Sequence, residues 1–396
     1  MGCLKASEPS NLLAFQPSSR RGFTLVEVIV ILVVLSILAA MAVPVALRIF
    51  ERTAEDTTRE EMDNVKKALL GNPQKLQTSF RNDFGLLGDI GCLPSVAFGG
   101  LDRLLTQGSY PGWNFNSTQQ AGAGWKGPYI TGTPGEDFKK DQLGNDYVYT
   151  PVAGACPLTA TLASNGPDGL PSTADDITVT IVANETTATI RGTVKNTSGT
   201  ALAGVPVELY YPDNGTLTTS TPATTDANGN YSFSSVPFGA RAVNANPTLV
   251  LVPNSVTVTG GPSDEVNFQV TNFSGSGVTI STMSVTCPAG VTDYDGITIG
   301  GTSVDPGGEE ACGATINITD YTFAANPTPP SSTRVVVDSS DTQLPDLTLR
   351  GGVTKTINLL DFENGAPPVD MRNRTLTVTF NLTVGGPAVI TFTTPP

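Results

Sequence analysis

The chain has 396 residues, enough for two or three domains, and a formal net charge of −14. This acidity argues against a nucleic-acid partner, since no basic patch is present to neutralise phosphates. The sequence contains no histidine, which excludes histidine-dependent catalytic triads and histidine-ligated metal sites. The 41 glycines and 30 prolines, with abundant Thr and Val, predict short strands joined by turns.

Near the N-terminus, residues 28–47 form an uncharged apolar segment. As a helix rising about 1.5 Å per residue, this segment would span the hydrocarbon core of a bilayer. The bases that precede it are Lys5, Arg20 and Arg21, so we expect the N-terminus to stay cytoplasmic while the remainder crosses. A cleaved secretory signal peptide and a plain one-pass anchor are the alternative interpretations.

Residues 20–27, Arg-Arg-Gly-Phe-Thr-Leu-Val-Glu, lead directly into this segment. The basic pair, the Gly-Phe junction and the single acid resemble the processing site of type IV pilins and type II secretion pseudopilins. The resemblance implies that prepilin peptidase removes a leader, residues 1–22, by cutting between Gly22 and Phe23, and that the new N-terminus is methylated. The mature protein would keep its membrane helix and join other pilin-like subunits in a filament.

Two further residues have implied roles in filament assembly. A carboxylate beside hydrocarbon is costly unless it is neutral or paired, and Glu27 lies at that boundary. The resemblance implies that Glu27 pairs with the new amine of Phe23 in a neighbouring subunit; the alternative is a charge that simply sits among the lipid headgroups. Pro44 removes one helical hydrogen bond, and the family has a proline here, where the helix can loosen within the filament.

Residues 48–70 continue as an amphipathic helix. Ile49, Met62, Val65 and Leu69 recur at nearly helical spacing, and charged residues occupy the other faces. Gly71 begins a Gly-Asn-Pro stop signal. We therefore predict one long helix within residues 23–75, with the membrane span at 28–47.

The cysteines predict disulfide bonds in exported domains. Cys3 lies in the presumed leader, and the other four fall by region as Cys92 with Cys156 and Cys287 with Cys312. One bridge in each of two exported domains is the favoured pairing among the three that four cysteines allow. Free buried thiols are the alternative, and zinc is disfavoured without Cys-x-x-Cys spacing or histidine.

A second similarity covers residues 80–182. Residues 124–130, Gly-Trp-Lys-Gly-Pro-Tyr-Ile, and residues 143–149, Leu-Gly-Asn-Asp-Tyr-Val-Tyr, are similar in order and spacing to segments of the major pseudopilin of type II secretion. Leu143 and Asp146 depart from the family pattern, which has Trp and Pro there. The similarity implies a pseudopilin globular head at residues 76–185.

The glycine-rich loop at residues 164–177 carries three crowded carboxylates, those of Asp168, Asp175 and Asp176. Like charges this close repel unless a cation or solvent separates them, and calcium accepts irregular sets of six to eight oxygens. The pseudopilin resemblance implies a calcium loop here, with carbonyls near Asn165 and Thr173 completing the shell. A solvated acidic turn is the alternative.

Two further modules follow the head. Residues 188–271 resemble the carboxypeptidase regulatory-like, prealbumin-like β-sandwich, a common spacer that implies no peptidase activity. Its Asp-Ala-Asn-Gly-Asn segment at 226–230 is better explained as a hairpin turn than as an EF-hand, because the downstream Glu and the flanking helices are missing. Residues 272–396 alternate apolar and polar side chains, which predicts a second sandwich of no recognised family.

The predicted fold class is α+β, with a long N-terminal transmembrane helix packed on a small β-sheet head and followed by two all-β sandwiches. We expect a non-enzymatic subunit of a type II secretion or type IV pilus-like filament. Such a subunit would lie in the inner membrane and then in a periplasmic or extracellular filament. A low-copy adhesin or tip subunit that binds through its C-terminal sandwiches is the main alternative, and a tethered protein that never assembles is a third.

Overall fold

The computed structural model describes residues 22–77, 80–131, 138–245, 247–305, 307–339 and 346–396. Cys3, Lys5, Arg20 and Arg21, which the leader and topology predictions use, lie outside these residues. The chain divides into two compact units, Met1–Asp56 and Thr57–Pro396. The units are described separately below.

Helix α1, Leu25–Leu70, confirms the predicted long helix and contains Pro44 in its interior. By length and composition, it is the one helix in the described ranges that could cross a membrane. The helix ends at Gly71, whose φ of +79° is the left-handed conformation that glycine adopts without steric cost.

The head that follows consists of short elements. Helix α2 spans Gly85–Ile90, and three 3₁₀ helices span Val96–Phe98, Gly100–Leu104 and Ala183–Glu185. The strands of the head are β1 (Leu76–Gln77), β2 (Phe80–Arg81), β3 (Asn114–Asn116), β4 (Ala121–Ala123), β5 (Val148–Pro151), β6 (Ala160–Ser164) and β7 (Ile177–Ile181). They pair antiparallel as β1-β2, β3-β4 and β5-β6-β7.

The strands that follow the head, several of them eight residues or longer, form two sandwiches. Those up to residue 245 are β8 (Thr187–Asn196), β9 (Pro206–Asp213), β10 (Thr216–Thr219), β11 (Ala223–Thr224), β12 (Asn230–Pro237) and β13 (Gly239–Ala245). The later strands are β14 (Leu249–Leu251), β15 (Thr257–Thr259), β16 (Glu265–Asn272), β17 (Val278–Thr286), β18 (Asp293–Ile299), β19 (Thr302–Ser303), β20 (Glu310–Ala311), β21 (Thr315–Phe323), β22 (Thr333–Val337), β23 (Leu347–Leu349), β24 (Val353–Glu363), β25 (Thr375–Leu382) and β26 (Ala388–Thr393).

Four sheets build the sandwiches. The first sandwich pairs the sheet β10-β9-β13-β22, with β11 on β9, against the sheet β12-β8-β23. The second pairs β14-β16-β24-β18-β19, with β15 on β16 and β20 on β18, against β21-β17-β25-β26. This architecture confirms the predicted fold class of one long helix followed by β-sandwiches.

The chain crosses between the sandwiches more than once. Strands β22 and β23 return to the first sandwich, where β22 pairs antiparallel with β13 and β23 pairs parallel with β8. Strands β14 to β16, in turn, belong to the second sandwich through the pairing of β16 with β24.

Two main hydrophobic clusters fill the unit Thr57–Pro396. The first runs without interruption from Leu69 of α1 through Leu87 and Leu162 of the head to Leu209 and Val243 of the first sandwich. The second lies between the sheets of the second sandwich. The head and the first sandwich are therefore packed on one core.

Disulfide bonds join Cys92 to Cys156 and Cys287 to Cys312. The first connects two segments of the head, 64 residues apart in sequence, and the second connects segments of the second sandwich that are 25 residues apart.

Candidate functional site

The start of helix α1 is held by a reciprocal pair of hydrogen bonds. The backbone N–H and the hydroxyl of Thr24 both donate to Oε2 of Glu27, each at 2.9 Å. The backbone N–H of Glu27 donates in return to the Thr24 hydroxyl at 3.2 Å. This is a capping box, which satisfies two of the free N–H groups at the helix start. Within one chain, Glu27 thus stabilises the first turn of the helix.

The first half of α1 exposes apolar side chains all round. Phe23 is 77% exposed, and the apolar residues from Leu25 to Phe50 are exposed as well. A helix that is apolar on every face requires a hydrocarbon environment or other helices around it. The segment that was predicted to assemble is therefore an unpartnered apolar rod within a single chain.

The acidic loop joins β6 to β7 and rests on a buried polar base. The hydroxyl of Ser164, fully buried, donates to Oδ2 of Asp141 at 2.6 Å. Asp141 is itself 5% exposed and also accepts the backbone N–H groups of Leu143 and Asn145. The side-chain amide of Asn145 donates to the carbonyl of Gly166 at 3.0 Å. These bonds fix the position at which the loop begins.

A close backbone approach then closes the loop. Gly166 has φ of +63°, and a Cβ atom at this position would lie 2.4 Å from the carbonyl oxygen of Asp175. Only glycine fits both conditions. The two ends of the loop therefore meet directly above Ser164, and the acidic residues share a small volume.

Within the loop, oxygen atoms converge on the Thr173 hydroxyl. Its Oγ1 lies 3.3 Å from Oδ1 of Asp168, 3.1 Å from Oδ1 of Asp176 and 3.0 Å from the carbonyl oxygen of Leu170. A hydroxyl has one proton to donate, so it cannot satisfy three acceptors at once. The arrangement leaves hard oxygens facing one another, which is the donor chemistry that calcium prefers.

Asp175 lies beside this group. Its Oδ2 accepts the backbone N–H of Asp168 at 3.1 Å. Hydrogen bonds from the Thr173 side chain and from that N–H hold the pKa of the Asp175 carboxyl below its usual value. The carboxyl is therefore an anion at neutral pH. Asn165, the remaining predicted ligand, lies at the start of the loop, where its side-chain amide donates to the carbonyl of Gly169 at 3.4 Å.

The structure thus brings Asp168, Asp175, Asp176 and Thr173 together. Sequence reasoning missed Asp141 and the carbonyl of Leu170. Asp141 precedes a Leu-Gly-Asn turn, and this spacing of an aspartate before a glycine turn is typical of a side chain that caps backbone N–H groups. The carbonyl of Leu170 carries no side-chain signal.

The segment at 124–130 packs the head rather than forming a site of its own. The indole N–H of Trp125 donates to the carbonyl of Arg103 at 2.8 Å. The hydroxyl of Tyr129 donates to Oδ2 of Asp89 at 2.9 Å and accepts the backbone N–H of Lys126 at 3.0 Å.

Comparison with protein families decides the nature of the N-terminal segment. Residues 17–43 match the prokaryotic N-terminal methylation motif. The chain has a pilin-like N-terminus. Residues 189–271 match the carboxypeptidase regulatory-like domain, which confirms the resemblance predicted for residues 188–271. No curated protein matches the sequence.

Solved structures with similar segments include two major pilins. One is the major pilin subunit of Bacillus cereus, at 12% identity over 53% of this chain and 69% of that chain, with a TM-score of 0.19. The other is the major pilin SpaD of Corynebacterium diphtheriae, at 12% identity over 53% of this chain and 65% of that chain, with a TM-score of 0.23. With TM-scores this low, neither likeness carries an argument about function.

Proposed function

We propose that this pilin-like chain is a structural, non-enzymatic subunit of a type II secretion or type IV pilus-like filament. The methylation motif carries the proposal, because it covers the start of α1 where the apolar side chains are exposed. In this scheme prepilin peptidase cuts between Gly22 and Phe23 at the inner membrane. The helices of many subunits then pack together and cover the apolar surface of α1.

Glu27 has a second role in this assembly. The capping box engages Oε2, and among the described residues no donor lies on Oε1. The second oxygen can therefore accept the amine of Phe23 from a neighbouring subunit, and this pairing would offset the cost of placing a carboxylate beside hydrocarbon. Pro44 would let α1 loosen locally as the helices pack.

The first prediction tests assembly. Filaments are sheared from the producing cells, and the chain is quantified by mass spectrometry in the sheared and membrane fractions. We expect wild-type chains in the sheared fraction to begin at Phe23. Glu27→Ala should leave the chain in the membrane, whereas Glu51→Ala, which removes an exposed acid from the same helix, should assemble normally. Assembly of Glu27→Ala at the wild-type level would contradict the pairing.

We further propose that the acidic loop binds calcium and that this locks the head. Asp168, Asp175 and Asp176 would hold the ion, with the carbonyl of Leu170 as a further ligand. The support for a calcium site is the three oxygen atoms that lie around the Thr173 hydroxyl. A bound cation would neutralise the carboxylates that now face one another in the loop.

The second prediction tests this site by calorimetry on the full-length chain in detergent micelles. Calcium at about a hundredfold excess over its Kd should stabilise the folded state by about 2.7 kcal/mol. Asp175→Ala should abolish the shift, whereas Asp146→Ala, an exposed acid outside the loop, should retain it. The proposal fails if calcium leaves the unfolding temperature of the wild-type chain unchanged.

A low-copy adhesin or tip subunit is the second candidate function. Its support is the two sandwiches, which follow the head and make up about half of the chain. A bulky module is easier to accommodate at low copy than in every subunit of a filament. The shearing experiment separates the two: abundant chain in the sheared fraction indicates a main subunit, and trace amounts indicate a tip subunit or a short pseudopilus.

A further inference from the structure

A cleft of about 540 Å³ opens where the head meets the first sandwich. The head supplies residues from β1, β2 and α2, and the sandwich supplies residues from β13 and β22. Small-molecule sites in proteins are concave, usually of this volume, and often lie between modules. None of the residues that line the cleft belongs to the acidic loop or to the start of α1, so the proposed function does not use it.

The rim of this cleft is positively charged, although the chain as a whole is acidic. Lys75, Lys126 and Arg334 all line the cleft. Lys75 lies 3.6 Å from a carboxylate oxygen of Asp83, which it neutralises. Within the described ranges, neither Lys126 nor Arg334 has a carboxylate at ion-pair distance. Two positive charges at the rim are thus available to an anion.

Both of these cations are positioned by aromatic rings. The ammonium of Lys126 lies 4.7 Å from the ring centroid of Trp113, and the guanidinium of Arg334 lies 6.0 Å from that of Phe115. Trp113 is itself wedged against Gly122, where an added Cβ would lie 2.5 Å from the indole. A cation held over a ring loses less conformational freedom when it binds a ligand, so the two charges are preorganised.

The floor of the cleft limits the charge that a ligand can carry. Asp89 lies there, and its carboxylate accepts the Tyr129 hydroxyl. This negative charge disfavours a dianion such as phosphate more than a group with a single charge. The amide side chains of Gln77 and Asn82 also line the cleft, where the Asn82 amide donates to Oε1 of Gln77 at 3.5 Å, and their remaining donors and acceptors can hydrogen-bond hydroxyl groups.

We propose that this cleft binds sugar acids, with Lys126 and Arg334 pairing with the carboxylate and the amides contacting the hydroxyls. The same chemistry is available from a free sugar acid or from the sugar-acid units of an acidic polysaccharide. Either ligand would bridge the head and the first sandwich. A polysaccharide ligand would give the head and the first sandwich a surface to adhere to.

The test is isothermal titration of the full-length chain in detergent micelles, with galacturonate, polygalacturonate, galactose and polyglutamate as probes. We expect galacturonate to bind and galactose not to bind. Tighter binding of polygalacturonate per sugar unit than of galacturonate identifies the polymer as the source, and equal binding identifies the free acid. Equal binding of galactose, equal binding of polyglutamate, or no binding of either galacturonate probe would overturn the proposal.

Variants assign the binding to the cleft. Lys126→Gln and Arg334→Gln should each weaken galacturonate binding by about tenfold, the cost of one charge-assisted contact. Arg350→Gln, which removes an exposed positive charge elsewhere, is the matched control and should bind as the wild type does. Asp89→Asn should tighten binding, because it removes the negative charge at the floor. Tighter binding by Asp89→Asn is not expected if Asp89 has a purely structural role. If Asp89→Asn does not tighten galacturonate binding and Lys126→Gln does not weaken it, the cleft is not the binding site.

The result is independent of filament assembly. Binding is measured on dispersed chains, so a chain that fails the shearing test can still bind galacturonate, and a chain that assembles can fail to bind it. Thermal unfolding of each variant, measured alongside, separates lost binding from lost folding.

Discussion

At the residue scale, Asp89 is a carboxyl group held in an unfavourable environment. Burial raises its pKa from 3.8 to about 6, against the opposing effects of the Tyr129 hydrogen bond and the charges of Lys126 and Arg241. Asp83, a nearby acid, adds to the increase. The folded chain therefore binds this proton more tightly than the unfolded chain does. Its contribution to stability is complete below the unfolded pKa and is lost as the pH rises through about 6.

The third prediction follows from this loss of stability as the pH rises. Asp89→Asn should raise the free energy of unfolding at about pH 8, by at most about 3 kcal/mol, since a neutral amide costs much less to bury than a carboxylate. At about pH 4 the variant and the wild type should be equally stable, because Asp89 is then protonated in the folded state. Thermal unfolding at the two pH values measures this. Asp320→Asn, at an exposed position, is the control, and a stabilisation that is the same at both pH values would contradict the assignment.

Residue types alone predicted most of the acidic residues of the loop, but not the buried residues beneath it that fix its position. The sequence shows three aspartates close together among glycines, and like charges this close repel unless a cation or solvent separates them. Asp141 lies more than twenty residues before the loop, and only the pairing of β5 with β6 and the hydrogen bond to Ser164 place it beneath. The cleft between the head and the first sandwich was not predicted, since Lys126 and Arg334 come from segments about two hundred residues apart.

At the scale of elements, the connections between the two sandwiches are held by Asn326. This side chain is 2% exposed. The two N–H groups of its amide lie within hydrogen-bond distance of three carbonyl oxygens, those of Phe273, Thr328 and Arg350, with Nδ2 at 3.0 to 3.1 Å from each. Its Oδ1 accepts the backbone N–H of Gly352 at 2.9 Å. Asn326 thus joins two of the crossing segments, residues 324–332 and 350–352, to the connection between β16 and β17.

The fourth prediction replaces this amide by an acid of the same shape. Asn326→Asp would remove two N–H donors and place a carboxylate against three carbonyl oxygens. We expect a loss of at least about 3 kcal/mol of stability, the cost of unsatisfied buried groups. Calorimetry of the full-length chain measures the loss. Asn364→Asp, at an exposed turn, should cost little, and a similarly small effect at Asn326 would show that the crossings are held by other contacts.

Local patterns predicted the elements whose causes are local. Helix α1 was predictable because the apolar spacing lies within the helix and the Gly71 stop follows it directly. The return of β22 and β23 to the first sandwich was not predictable, because period-two alternation shows which face is buried and does not identify the partner strand. The anchoring role of Asn326, in the Asn-Pro-Thr-Pro-Pro segment that precedes β22, was not predictable either, because it depends on the distant residues Phe273 and Arg350.

At the scale of the whole unit Thr57–Pro396, the head and the first sandwich behave as one packed body. Arg241 of β13, fully buried, donates to the carbonyl of Gly88 in α2 at 2.8 Å. The backbone N–H of Gly215 donates to the carbonyl of Ile90 at 2.9 Å. A Cβ at Gly91 would lie 1.8 Å from the carbonyl oxygen of Pro212, so the two backbones touch there. The cleft between them is therefore a fixed surface.

The fifth prediction is that the two hydrophobic cores unfold in two separate transitions. Leu69→Ala in α1 and Leu209→Ala in β9 remove side chains from the shared first core, and Leu359→Ala in β24 removes one from the second. Each truncation should cost about 2–5 kcal/mol, because buried leucines leave cavities. Calorimetry of the full-length chain should show Leu69→Ala and Leu209→Ala lowering the same transition, while Leu359→Ala lowers another. If Leu69→Ala shifts a transition that Leu209→Ala leaves in place, the head folds separately from the sandwich. The galacturonate cleft would then depend on docking rather than on a common core.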